Sequence, residues 1–225
     1  MPGILYVIST PIGNLKDITL RAIETLKAVD IIACEDTRHT KKLLSHYGIT
    51  TLTTSYFEYN KVKKGEYLMR LLEEGKSVGL VSDSGTPGIS DPGYNIIKLA
   101  IEKEIRIIAI PGPCAFISAL ILSGMPTDNF LFCGFLSNKG SKRRRQLELL
   151  KGQTRTIIFY ESPHRILKAL QDMLEIFGDR DIFIARELTK VFEELLRMKI
   201  SEAIRHFTSI PPRGEFILVV RGEKS

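Results

Sequence analysis

Ser77-Val-Gly-Leu-Val-Ser-Asp-Ser-Gly-Thr-Pro-Gly-Ile-Ser-Asp-Pro-Gly93 is the stretch on which the fold turns. Val78–Val81 is a short apolar run that stops in Ser, Asp, Gly and Pro, the pattern of the carboxyl end of a buried strand. Open α/β sheets bind ligands at that end, because the loops diverge there and leave backbone N–H groups, hydroxyls and carboxylates facing a crevice. The loop Val81–Gly93 is therefore the first candidate for an active site.

On the amino-terminal side, Ile4–Ile8 reads as a first strand ending in Ser9-Thr-Pro-Ile-Gly-Asn14, and Ile18, Ala22, Leu26 and Val29 then recur at helical spacing. Asp30–Cys34 is a second strand, ending in Glu35-Asp36-Thr37-Arg38. A helix over Lys41–Tyr47 stops at Gly48, Thr50–Tyr56 is a short strand, and Glu58–Lys64 reads as a polar link. Leu68, Leu71 and Leu72 mark a helix closed by Gly75. After the central loop, Tyr94, Ile97 and Ile101 form a helical stripe, and Ile107–Ile110 is a strand ending in Pro111-Gly-Pro113. Strands joined by helices in this order imply parallel pairing, since each crossover needs a dozen or more residues.

Beyond Pro113 the pattern changes. Ala115–Leu122 is apolar nearly all round, which predicts a helix buried between two layers or two domains. Phe130–Phe135 is a strand, and Ser137–Arg145 is the strongest charge run, expected as a flexible loop. Thr156–Tyr160 is a strand, followed by a helix carrying Ile166, Leu170 and Leu174 with Gly178 as its stop. Asp181–Ala185, Val191–Lys199 and Glu215–Val220 supply the remaining elements, the last two antiparallel. A domain boundary at Pro113–Met125 gives domains 1–115 and 116–225.

A chain of 225 residues, 44% apolar, can bury one large core or two small ones. Its net charge of +6 favours polyanionic partners without requiring one. Cys34, Cys114 and Cys133 lie far apart, which suggests neither a zinc site nor a disulfide framework and fits a reducing cytosol. With no basic leader and no apolar run of spanning length, a soluble, unprocessed, cytoplasmic protein is expected.

Carboxylates gather at strand ends: Glu35, Asp36, Asp83, Asp91, Glu161 and Glu187. Such a ring suits a ligand with an ammonium or sulfonium charge and ribose hydroxyls, or else the acids cap the helices that follow. Asp91, before Pro92, reads as a cap; Asp83, among Ser82, Ser84, Gly85 and Thr86, reads as a ligand contact. Neither a G-x-G-x-x-G fingerprint nor a Walker phosphate loop is present. His39, His46, His164 and His206 are scattered and suggest no metal site. Lys139, Lys142, Arg143, Arg144 and Arg145 are either a solvated face or a surface that follows a phosphate backbone. Tyr56, Phe57 and Tyr59 beside Lys61, Lys63 and Lys64 either stack on unpaired bases or belong to a core.

Seven segments, in order, carry a resemblance: Leu5–Leu15, Cys34–Arg38, Ser82–Gly93, Pro111–Pro113, Phe159–Arg165, Arg186–Lys190 and Pro212–Glu215. Together they resemble the ribosomal RNA small subunit methyltransferase I family of the tetrapyrrole-methylase-like (class III) S-adenosylmethionine superfamily. The resemblance implies two αβα domains, the first with a mainly parallel and the second with a mixed sheet, and S-adenosylmethionine in the cleft between them. It further implies a homodimer that methylates a cytidine ribose 2′-oxygen of small-subunit ribosomal RNA within the 30S subunit. The superfamily's cofactor contacts map to Pro11, to Ser82, Asp83 and Thr86, to Cys114 and Ala115, and to Glu161 and Leu188. Where the superfamily has Gly-Asp-Pro this chain has Ser82-Asp83-Ser84, so backbone contacts are expected to persist while the side-chain set changes.

A ribose hydroxyl is a poor nucleophile near neutrality and needs alignment and help with proton removal. Glu35, Asp36 and Glu187 are candidate bases or orienters, with Asp36 and Glu187 ranked first because each sits beside a cation in a strand-end loop. Arg38, Arg165 and Lys190 are candidates to hold the target phosphate or lower the hydroxyl pKa. All six are equally compatible with ion-pairing among themselves. Two other readings compete: a methylase acting on a tetrapyrrole, and a catalytically silent RNA-binding protein.

Overall fold

The structure, a computed structural model, describes residues 2–223. Met1, Lys224 and Ser225, the outermost residues of the two expected domains, lie outside the described residues. The chain divides into two compact units, Met1–Cys114 and Ala115–Ser225.

The first unit runs β1 (Ile4–Ile8), α1 (Leu20–Ala28), β2 (Ile31–Cys34), α2 (Thr37–His46), β3 (Leu52–Ser55), α3 (Lys61–Glu73), β4 (Val78–Leu80), α4 (Tyr94–Glu102) and β5 (Arg106–Ile110). Its strands form one parallel sheet in the order β3-β2-β4-β1-β5. Helices cover both faces, so the strands are apolar on both sides, as parallel sheets require. Ile8, Ala22, Leu26, Leu43 and Leu44 form the core under α1 and α2. Leu5, Leu68, Met69, Leu72, Ile96 and Ala100 form the core under α3 and α4. The chain thus steps outward from β1 along one face and returns to β4 and β5 along the other. β1 and β4 are neighbours whose following helices pack on opposite faces, which makes their carboxyl ends the topological switch point of the sheet.

Two local expectations are corrected here, and one open choice is decided. Lys61–Lys64 is the first turn of α3 rather than a polar link. Tyr56 is 2% exposed and belongs to the core, whereas Tyr59 is fully in solvent. The helix after the central loop starts at Tyr94 with Gly93 as its N-cap, so Asp91 is not the cap. Gly93 takes φ 154°, and a Cβ there would lie 2.8 Å from the Gly88 nitrogen, which leaves no room for a capping side chain.

The second unit runs α5 (Ala115–Ser123), β6 (Phe130–Phe135), α6 (Gly140–Glu148), β7 (Thr156–Glu161), α7 (Ile166–Phe177), β8 (Asp181–Arg186), β9 (Glu194–Lys199), α8 (Ile200–Ser209) and β10 (Phe216–Val220). Its sheet is mixed, in the order β6-β7-β10-β8-β9, with β6 parallel to β7 and the other pairs antiparallel. Phe159, Leu170, Met173, Ile184, Phe207 and Leu218 fill the core beneath the helices on one face, and α5 lies against β7, β8 and β10 on the other. The fold is α/β, with a parallel sheet in the first unit and a mixed sheet in the second.

Several expectations change in this unit. α5 buries Ala119, Leu120 and Ser123 but leaves Ile117, Ile121 and Leu122 exposed, Ile121 at 67%, so it is not buried all round. The final strands are Glu194–Lys199 and Phe216–Val220, which do not pair with each other; each runs antiparallel to β8. Val191 and Phe192 precede β9 and are exposed. Helix α8 was not expected, although Ile200, Ala203 and Phe207 carry its buried stripe.

The basic run is not a flexible loop. It forms most of α6, where Arg143 is 7% exposed and donates from Nε to Asp172 at 2.7 Å. Arg144 binds Asp172 at 3.0 Å and also pairs with Glu175. Two of the three arginines are thus held by acids on α7, while Lys139, Lys142 and Arg145 remain exposed. Removing one partner of a buried ion pair strands the other charge. Asp172→Ala is expected to lower the unfolding free energy by about 3 kcal/mol in a urea titration, and Lys142→Ala to change it by less than about 0.5 kcal/mol.

Candidate active site

In the first unit three strand-end loops are tied to one another. Thr10, after β1, and Gly85, after β4, exchange backbone hydrogen bonds of 2.9 and 3.1 Å. The Thr10 hydroxyl donates to the Ser82 carbonyl at 3.1 Å. Ser9 Oγ lies 3.0 Å from Thr86 Oγ1, which also donates to the carbonyl of Pro113, after β5, at 3.2 Å. Ser82 Oγ reaches the Ser84 carbonyl at 3.2 Å. The hydroxyls of Ser82 and Thr86 therefore shape the turn. Pro11 is buried in the same loop system, and Cys114, partly buried, closes the unit.

Asp83 joins this turn to the end of β2. Its Oδ1 accepts the Asp36 N–H at 3.0 Å. Asp36 is the N-cap of α2, accepting the Arg38 N–H at 2.8 Å and gripping the Arg38 guanidinium at 3.2 and 2.9 Å. The Arg38 side chain and amide pull the Asp36 pKa down to about 2. Glu35 behaves oppositely: burial first, then the charges of Asp83 and Asp36, push its pKa up. Its carboxylate makes no hydrogen bond to the described residues. Of the three acids, Glu35 is the one both uncommitted and more basic than an ordinary carboxylate.

In the second unit β6, β7 and β8 end on one side of the sheet. Glu161, last in β7, is 2% exposed. Its Oε1 accepts from the Ser162 amide at 2.9 Å and pairs with Arg165 Nε at 2.9 Å. Burial raises its pKa against the pull of the Ser162 amide and of the Arg165 and Arg143 charges, and its Oε2 is buried without a partner. Glu187 follows β8 at φ 50°. Its Oε1 accepts from Lys190 Nζ and from the Glu215 amide, both at 2.9 Å. Burial alone would raise the Glu187 pKa, but these two bonds and the charges of Lys190 and Arg186 hold it below the usual value. Leu188 is buried beside it, and Ala115 opens α5.

Two residues here escaped the sequence reading. Glu215 completes the cluster by binding Lys190 Nζ at 2.9 Å. Gly214 adopts φ 83°, and a Cβ on it would stand 2.5 Å from the Glu187 carboxylate, so glycine is needed for Glu187 to lie where it does. Both lie in Pro212–Glu215, a segment that carries the resemblance, but nothing in its spacing points to Glu187.

Residues 4–204 match the family described as Tetrapyrrole (Corrin/Porphyrin) Methylases. The chain belongs to that family. It is 51% identical over 220 residues to Ribosomal RNA small subunit methyltransferase I of Halalkalibacterium halodurans, covering 98% of this chain and 76% of that one. The protein of the same name from Thermotoga maritima is 49% identical, with 99% and 100% covered. Among solved structures, uroporphyrin-III-C-methyltransferase from Thermus thermophilus superposes with a TM-score of 0.70 at 16% identity, covering 97% of this chain and 94% of that one. Cobalt precorrin-4 methyltransferase does so with a TM-score of 0.68 at 15% identity, covering the same shares. At those identities the likeness is one of fold.

The family is one of methyltransferases, and their methyl donor is S-adenosylmethionine. The residues present fit that cofactor. In the first unit the Asp83 carboxylate suits its positive charge and ribose hydroxyls, and in the second Glu161 Oε2 is a buried acceptor lacking a donor among the described residues. No cluster of acid, histidine and cysteine side chains able to hold a metal occurs among the described residues, and no helix among them is long and apolar enough to cross a membrane.

The depressed Glu187 pKa gives a test of the second cluster. A carboxylate whose pKa is lower folded than unfolded contributes stability above the unfolded value, about 4.3, and loses it as pH falls through the folded value. Glu187→Gln is therefore expected to be destabilised by about 1–2 kcal/mol at pH 7. That deficit should shrink below about pH 4, as measured by urea midpoints across the pH range.

Proposed function

We propose that this chain transfers a methyl group from S-adenosylmethionine to the 2′-oxygen of a cytidine ribose in small-subunit ribosomal RNA, acting as a homodimer on the 30S subunit. The observation that carries the reading is the near full-length similarity, at about half identity, to proteins named for ribosomal RNA small subunit methylation. The exposed Ile117, Ile121 and Leu122 on α5 support a second subunit, and the net charge of +6 suits an RNA partner.

The cofactor supplies an electrophilic methyl group on a sulfonium. Asp83 and the backbone of Ser82–Thr86 hold that positive charge at the end of β4, with Pro11, Cys114 and Ala115 lining the neighbouring strand ends. Glu161 accepts a cofactor hydroxyl or amine at Oε2, and Leu188 packs beside it. Glu35 takes the proton from the ribose hydroxyl. Its raised pKa makes it a better base than Asp36 or Glu187, whose charges Arg38 and Lys190 already stabilise. Asp36 orients Arg38 in the first unit, and Glu187 with Glu215 orients Lys190 in the second, each cation being held for an RNA phosphate.

The test is tritiated-methyl transfer to 30S subunits followed by nucleoside analysis, with uroporphyrinogen as the competing acceptor. Label is expected in 2′-O-methylcytidine; label in a base, or only in the tetrapyrrole, would contradict the reading. Glu35→Gln should slow single-turnover transfer roughly 100-fold or more while calorimetry shows the cofactor still bound. The pH-rate profile should lose the limb that Glu35 gives the parent. Glu187→Gln should slow transfer far less.

A further inference from the structure

An aromatic file in the second unit ends in solvent. Phe116 on α5 stacks on Phe132 of β6 with ring centroids 4.3 Å apart and planes at 17°. Phe132 meets Tyr160 of β7 edge-on at 5.0 Å, and Tyr160 meets Phe135 at 5.5 Å. The first three rings are partly buried, but Phe135 is 49% exposed. A lone exposed aromatic is ordinary; the way Phe135 comes to be exposed is not.

Along β6, Phe132 pairs with Ile158 and Phe135 with Tyr160, so three steps on β6 match two on β7. The extra residue is a β-bulge on an edge strand, and Gly134 within it adopts φ 62°. Regular alternation would put Phe135 on the face of Cys133, which packs against the core beneath α6, α7 and α8. The bulge turns Phe135 to the face of Tyr160 instead, and Leu136, 4% exposed, enters the core in its place. Bulges of this kind re-aim a side chain.

Beside the exposed ring stands a fixed cation. The Arg165 guanidinium carbon lies 5.6 Å from the Phe135 ring centroid. Arg165 is held by Glu161 Oε1, by Ser162 Oγ at 3.0 Å and by Asn138 Oδ1, which stops the guanidinium turning away. The segment that follows Phe135 bears the three cations of the basic run that are exposed, Lys139, Lys142 and Arg145.

We propose that Phe135, backed by Tyr160 and flanked by Arg165, is a stacking shelf for an unpaired base of the RNA substrate, with Lys139, Lys142 and Arg145 along the adjoining phosphates. The chemistry favours a single-stranded nucleic acid. Unpaired bases stack on aromatic rings and arginine planes, and cations beside the shelf follow the backbone. This proposal rests on the reading of the substrate as RNA.

The experiment is fluorescence anisotropy with two probes of equal length, a twelve-residue oligocytidine and its abasic counterpart. The parent is expected to bind oligocytidine more tightly than the abasic strand. Phe135→Ala should weaken oligocytidine binding roughly five- to hundred-fold and leave the abasic strand nearly unchanged, the range expected for one lost base stack. Phe135→Trp should retain the preference. Cofactor calorimetry and thermal melting check that the alanine variant stays folded. Unchanged oligocytidine affinity in Phe135→Ala would overturn the proposal. So would a shift from dimer to monomer in sedimentation with no loss of RNA binding, which would give the shelf to a second copy of the chain. Transfer by the parent to 30S subunits is scored separately, so the shelf and the substrate reading fail independently.

Discussion

Everything at the mouth of the parallel sheet depends on the mutual fastening of the loops after β1, β4 and β5. Hydrogen bonds link Thr10 to Gly85 and Ser82, and a relay runs from Ser9 through Thr86 to the Pro113 carbonyl. The switch-point crevice lies between strands whose chains diverge to opposite faces, so without such ties its walls would be independent loops. Fastened, they form a fixed rim in which Asp83 is oriented by the Asp36 amide and the α2 amino end. A methyl donor has to be aligned within a fraction of an ångström for in-line transfer, and a rim built from strand ends supplies that rigidity.

The same rim explains why the acids there have different chemistry. Three carboxylates within one small volume cannot all stay equally basic. Asp36 is satisfied by Arg38 and by its capping role, so its pKa falls, while Glu35, partly buried beside two negative charges and without a hydrogen bond to the described residues, is pushed up. In the second unit Glu161 and Glu187 diverge in the same way. Glu161 keeps one oxygen buried and unpartnered, whereas the Glu187 oxygen that carries its bonds is shared between Lys190 and the Glu215 amide. Pairs of acids driven apart by their surroundings are how one protein supplies a base and an orienter at the same pH.

Much of this was legible in the sequence, and the failures have physical causes. The strand-end acids and the βα alternation announced themselves because a parallel sheet writes its strands as apolar runs that stop abruptly in Gly, Ser, Asp and Pro. The resemblance of seven ordered segments to a methyltransferase family added the cofactor. What stayed hidden was the business of each polar side chain. The Ser82 hydroxyl bonds carbonyls of its own turn and that of Thr86 the Pro113 carbonyl, partners that no motif names. Lys139–Arg145 read as a loop because helix α6 carries few apolar residues, and the acids that hold Arg143 and Arg144 lie a whole strand and helix away. Ala115–Leu122 read as buried because composition alone does not say which side of a helix faces the sheet.

The most direct measurement is a crystal of this protein soaked with S-adenosylmethionine. Density for the donor is expected against Asp83 and the backbone of the Ser82–Thr86 turn, with Glu35 left free of it. Donor density lodged away from that turn, or Glu35 turned into the protein interior and paired with a cation, would contradict the placement of the reaction at the strand ends.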